Sequence, residues 1–68
     1  MTLELTNLNL NCKDKHNVLA KLKDDNNNTI FLDTIKSYTV VDYETGYVIL
    51  TYNKLKQINF NNVKIKEV

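Results

Sequence analysis

Cys12 and His16 stand four residues apart and are the chain's single cysteine and single histidine. A thiolate beside an imidazole is the pairing that cysteine nucleophiles use, and histidine is the side chain most often recruited for proton transfer near neutral pH. The context favours a plainer role. Cys12 continues the apolar alternation Leu8, Leu10, Cys12, a position that suits a small buried residue. The pair alone does not meet the geometric demands of an active site. Zinc would require about four nitrogen or sulfur ligands at characteristic spacings, and the chain offers one of each. Asp24, Asp25 and Asn26 to Asn28 resemble a calcium loop only in composition, lacking the glycine and terminal glutamate of an EF-hand. They read as turn residues instead, because Asp and Asn bond their own backbone and tolerate left-handed geometry. With one glycine, Gly46, a glycine-rich phosphate cradle is ruled out. The sequence therefore predicts no enzyme, cofactor, metal site or small-molecule substrate.

Two surfaces remain that could bind something larger. Lys54, Lys56, Lys64 and Lys66 cluster near the C-terminus with Tyr52 and Phe60 among them, the ingredients of a groove in which bases of a single-stranded nucleic acid stack on aromatic rings. Against this, the formal net charge is only +1 and every basic residue is lysine, so the bidentate side chain most used for guanine and phosphate is absent. The second surface is apolar and tyrosine-rimmed: Tyr38, Val40, Val48, Leu50, Tyr52 and Leu55. Left open, it would predict a protein partner or a homodimer, since monomers seldom expose large apolar patches. Covered by the N-terminal strands, it would be core. Both readings stand at this point.

The elements that carry these residues are strands. Tyr38 to Tyr52 is the densest apolar run and reads as a hairpin around Glu44-Thr45-Gly46, with Gly46 supplying positive φ. This predicts Tyr43 opposite Tyr47, Val41 opposite Ile49, Val40 opposite Leu50 and Tyr38 opposite Tyr52. A tight turn at Asn53-Lys54 would set Ile49 opposite Ile58 and Tyr47 opposite Phe60. Another at Asn61-Asn62 would pair Phe60 with Val63 and Ile58 with Ile65, because Asn is the non-glycine residue that best accepts positive φ. The result is a C-terminal four-stranded meander. Its expected core face carries Val41, Tyr43, Tyr47, Ile49, Ile58, Phe60, Val63 and Ile65, and the apolar patch lies on its back.

Upstream, Leu3 and Leu5 alternate as in a half-buried strand, and the phase slips at Thr6-Asn7. Val18 to Leu22 reads as a strand with Lys21 and Lys23 pointing away from Val18, Ala20 and Leu22. Its hairpin partner, beyond the Asp24–Asn28 turn, would set Leu22 opposite Ile30 and Ala20 opposite Leu32. A helix over residues 14–25 capped at Asp14 is the alternative. The fold class expected is all-β, a small antiparallel barrel or two-layer sandwich of about six strands, with α+β following if that helix forms.

At 68 residues the chain makes one small β domain, 1–68, with little margin for stability. A lone cysteine fits a reducing compartment, and neither a signal peptide nor an apolar run of membrane-spanning length is visible. We expect a cytoplasmic, non-enzymatic interaction module that binds protein or itself, with no membrane association. Its Asn, Lys and Ile bias suits an accessory factor from an AT-rich source such as a phage or mobile element. The alternative is a single-stranded nucleic-acid binder using the C-terminal lysines.

Overall fold

Alternating side chains on each segment must find a second apolar surface, and in this protein two sheets supply it to each other. A computed structural model describes residues 1–8 and 17–68. The Cys12–His16 pair, Leu10 and the first residues of the alternative helix lie outside the described residues. Seven strands follow in order: β1 Thr2–Asn7, β2 Val18–Lys23, β3 Thr29–Ile35, β4 Ser37–Asp42, β5 Tyr47–Asn53, β6 Lys56–Phe60 and β7 Lys64–Glu67. One sheet has the order β3-β2-β1-β7 and the other β4-β5-β6. The protein is all-β, and Val18–Lys23 is strand where the alternative placed a helix.

The first sheet forms around Leu3 and Leu5, which are buried as their alternation predicts. β1 and β2 pair antiparallel with Leu3 opposite Leu22 and Leu5 opposite Ala20. The turn after β2 is built as its composition suggests: the Asn26 and Asn28 N–H groups each donate to Asp24 Oδ1 at 2.9 Å, and Asn27 takes φ 66°. The hairpin register differs by one residue from expectation, with Leu22 opposite Phe31 and Ala20 opposite Asp33. Because side chains alternate with period two, that single step turns Phe31 inward and leaves Ile30 and Leu32 exposed.

β3 runs on into β4 across Lys36, whose N–H donates to the Thr51 carbonyl at 2.9 Å. One continuous stretch thus serves both sheets. In the β4–β5 hairpin Gly46 takes φ 68° as expected, but the turn spans Tyr43 to Gly46 and a bulge sits at Val41, so Tyr38 faces Leu50 and Val40 faces Val48. This two-residue slip preserves faces. At the next hairpin the Leu55 N–H donates to Asn53 Oδ1 at 2.8 Å, an Asx turn that makes Lys54-Leu55 the loop in place of Asn53-Lys54. Phe60 therefore faces Val48 and Ile58 faces Leu50. This one-residue slip flips β6 onto the side expected to be the back.

The meander stops at three strands. Asn62 does adopt positive φ, at 58°, yet the loop leads β7 away from β6 to lie parallel to β1, with Leu3 opposite Ile65 and Leu5 opposite Glu67. The Lys64 N–H donates to the Met1 carbonyl and the Val68 N–H to the Leu5 carbonyl. Leu3, Leu5, Val18, Ala20, Leu22 and Ile35 of the first sheet close on Val48, Leu50 and Val63. The expected core face is thus corrected. Val41 and Tyr43 are 55% and 66% exposed, while Val48 and Leu50 are fully buried. The inner face of the second sheet is the one that the first sheet covers, as in a two-layer sandwich.

Candidate binding surface

Burial of Leu3 and Leu5 fixes the opposite direction for Thr2, Glu4 and Thr6. Burial of Val18, Ala20 and Leu22 does the same for Leu19, Lys21 and Lys23. β7 follows this phase through its pairing with β1: Ile65 packs against the core, and Lys64 and Lys66 face out. The outer face of the first sheet then reads in rows across the strands. Lys66, Glu4, Lys21 and Leu32 lie side by side, and Lys64, Thr2 and Lys23 form the next row. Neighbouring strands are about 4.8 Å apart, so Lys66 and Lys21 flank Glu4 at close range. Four lysines surround one carboxylate, which leaves this patch net positive.

The Lys23 Nζ lies 3.0 Å from Glu4 Oε1. That hydrogen bond, opposed by desolvation and aided by the charges of Lys23, Lys66 and Lys21, holds the Glu4 carboxyl below the usual range. Lys66 and Lys21 stand opposite Glu4 on its two neighbouring strands and Lys23 bonds it, so three lysine charges converge on one carboxylate. An open cleft of about 350 Å³ borders the patch between Thr2, Glu4, Lys23, Lys66 and the Asp24–Asn27 turn.

The four C-terminal lysines expected to act together are split between sheets. Lys64 and Lys66 join the patch just described. Lys54 and Lys56 belong to the β5–β6 hairpin, where the Lys56 Nζ sits 4.9 Å over the Tyr52 ring in a cation–π contact. Lys21 and Lys23 were not expected at a site, although the alternation of β2 already pointed them away from the core. What sequence could not supply was that Lys64 and Lys66 would join them.

The apolar patch is corrected as an open docking surface. Val48 and Leu50 have no exposure, and Tyr38, Val40 and Tyr52 are half-buried against the core. Leu55, at 98% exposure, stands alone at the β5–β6 turn. Tyr38 serves the junction between the sheets. Its hydroxyl donates to Glu67 Oε2 at 2.6 Å, and the Tyr43 hydroxyl donates to Oε1 of the same carboxylate. Burial, with help from Glu67, pushes the Tyr38 phenol up to about 12. The two phenols in turn hold the Glu67 carboxyl below its usual range. On the far side, the Phe31 and Phe60 rings meet edge-on with centroids 5.4 Å apart.

Among the described residues no group of three metal-ligating side chains converges, and no helix is long and apolar enough to cross a membrane. Compared with known proteins, the chain matches no family model, no curated protein and no solved structure.

Proposed function

We propose that the chain is a small non-enzymatic binding module that docks an acidic segment of a protein partner on the outer face of its first sheet. The observation that carries this reading is the parallel pairing of β7 with β1, which sets Lys64 and Lys66 in the same rows as Lys21 and Lys23. A flat face of lysines spaced about 6.7 Å along each strand suits an extended acidic chain, whose alternate side chains repeat at the same interval. Leu19 and Leu32 lie on this face beside the lysines and give an apolar contact to whatever docks. Among the described residues the face carries no aromatic ring on which bases could stack, and the chain has no arginine. Both points favour protein over nucleic acid. The single cysteine, Cys12, suits a reducing compartment, and we place the module in the cytoplasm.

A second reading rests on Lys56 over Tyr52 with Lys54 beside it in sequence, a basic–aromatic pair that could hold a single strand. Fluorescence anisotropy separates the two, with labelled poly-glutamate and oligo-thymidylate as probes across a salt series. The expected result is that poly-glutamate binds, that salt weakens it, and that the Lys21→Gln/Lys66→Gln variant loses at least about 10-fold, the loss of about 1.4 kcal/mol. Lys54→Gln/Lys56→Gln should leave that binding unchanged. Tighter binding of the oligonucleotide, lost in Lys54→Gln/Lys56→Gln, would replace this reading with the nucleic-acid one.

A further inference from the structure

The two sheets end in four edge strands, and three of them are protected. β7 is only Lys64–Glu67, and all but one of its residues are charged. β6 is short and opens with Lys56. β4 is interrupted by the bulge at Val41. These are the devices by which edges avoid pairing with other chains. β3 is the least protected, with Asp33 as its single charged residue. It runs Thr-Ile-Phe-Leu-Asp-Thr-Ile over residues 29–35, with no lysine, proline or glycine, and its one irregularity lies at the Ile30 end. Ile30 and Leu32 are 54% and 57% exposed. Among the described residues, no strand pairs with the outer edge of β3.

The Thr34 N–H donates to the carboxylate of its neighbour Asp33 at 2.8 Å, so it points away from β2 and toward the free edge. By alternation the Leu32 N–H and carbonyl point the same way. An antiparallel strand added there must align residues whose backbone groups point outward. A second β3 meets this condition about a two-fold axis through Leu32, which sets Leu32 opposite Leu32, Ile30 opposite Thr34 and Phe31 opposite Asp33. Shifting the axis to Asp33 would oppose two carboxylates, and like charges directly opposite are destabilising. The segment is thus complementary to itself about Leu32.

We infer that the protein dimerises through β3, joining the first sheets of two copies into one continuous eight-stranded sheet. The contact is isologous and uses both free β3 edges, so it closes at two copies. A two-fold axis normal to the sheet keeps the outer faces on the same side. Lys21, Lys23, Lys64 and Lys66 of both copies then line one surface, with the two Lys21 positions about 14 Å apart across three strand spacings. The dimer does not depend on what that surface binds, and it would bring two such patches to one acidic partner.

Light scattering over a dilution series tests this on the wild type, Leu32→Lys, Thr34→Lys and the control Leu55→Lys, with circular dichroism to confirm folding. The wild type and the control should show twice the 7.9 kDa chain mass. Both β3 variants, altered at exposed positions, should remain folded and become monomers, with the dimer dissociation constant raised at least about 100-fold, or about 2.7 kcal/mol. A wild-type monomer at the highest concentration would overturn the inference. So would assembly beyond two copies, or a dimer that both folded β3 variants leave intact. Poly-glutamate binding by the wild type, diluted below the dimer dissociation constant, reports separately on the lysine face.

Discussion

Gly46→Ala should be the most damaging single methyl group that can be added to this protein. Gly46 holds φ 68° at the end of the β4–β5 turn, and a Cβ built there would lie 2.0 Å from the Val63 carbonyl oxygen and 2.6 Å from the Val63 nitrogen. Placing an L-residue in left-handed backbone costs roughly 1–2 kcal/mol alone. The contact adds more, because carbon and oxygen normally approach no closer than about 3.3 Å, so the β6–β7 loop must retreat by more than 1 Å. That retreat strains the bonds from the Asn62 N–H to the Thr45 carbonyl and from the Val63 N–H to the Gly46 carbonyl, each worth about 0.5–1.5 kcal/mol. It also pulls on Val63, which is 4% exposed and part of the core. The total is about 3–5 kcal/mol, against roughly 3–10 kcal/mol for the whole of a 68-residue domain.

Urea unfolding followed by circular dichroism measures that loss directly, and Gly46→Asn separates its two causes. Asparagine accepts positive φ well but still carries a Cβ. If steric contact with Val63 dominates, both variants lose about the same stability, and much of the Ala variant is unfolded before any urea is added. If Gly46→Asn comes within about 1 kcal/mol of wild type, only the dihedral mattered and the contact is relieved at little cost. A Gly46→Ala loss of under about 1 kcal/mol would refute the packing of the β6–β7 loop over this turn.

The remaining predictions concern the core, the junction and the lysine face. Leu50→Ala should cost about 2–5 kcal/mol, since Leu50 has no exposed surface, and Leu50→Lys should leave no folded protein by circular dichroism. Glu67 has a lowered folded pKa, so its contribution is present above the unfolded value near 4.5 and is lost as pH falls through the folded one. Glu67→Gln should therefore flatten the acid limb of a stability–pH profile. Tyr38 is a raised acid with a folded value of about 12 against 10 when unfolded. Its stabilisation is complete below pH 10 and disappears as pH rises toward 12, and Tyr38→Phe should remove that alkaline step in an absorbance and unfolding titration. Lys64→Gln should weaken poly-glutamate binding and lower its salt dependence, with no change in the unfolding midpoint.

The parts of the fold legible in the sequence were those decided by local chemistry. Gly46, Asn62 and the Asp24–Asn28 turn all take the backbone geometry that their residue types favour, and the alternation of Leu3, Leu5, Val18, Ala20 and Leu22 marks buried positions correctly. The registers were less legible, because a turn one residue longer or shifted by one gives equally apolar pairs. Ile58 can face Ile49 or Leu50, and both are hydrophobic. The observed choice at β5–β6 follows from the Asn53 side chain accepting the Leu55 N–H, a preference too small to weigh against rival turns from composition. With β6 flipped, Phe60 joins Val48 and meets Phe31, and the face expected to be core turns outward.

The partner of β7 was beyond any local signal, and the candidate site depends on it. Val63-Lys64-Ile65-Lys66 alternates equally well against β6 or β1, and a parallel neighbour is announced by no turn at all. What separates the two is packing at a distance. With β6 flipped inward, a hairpin at Asn61-Asn62 would have placed β7 beside it, extending the second sheet beyond the reach of the first. Crossing to β1 instead puts Val63 against Gly46, Ile65 against the core and Glu67 under Tyr38 and Tyr43. The contacts of Val63 with Gly46 and of Glu67 with the two tyrosines join residues at least 17 positions apart in sequence. The same crossing turns Lys64 and Lys66 toward Lys21 and Lys23. The basic face is therefore a product of the contacts that hold β7. If Glu67→Gln loosens the strand, affinity for an acidic probe should fall with it, although Glu67 itself faces the other sheet.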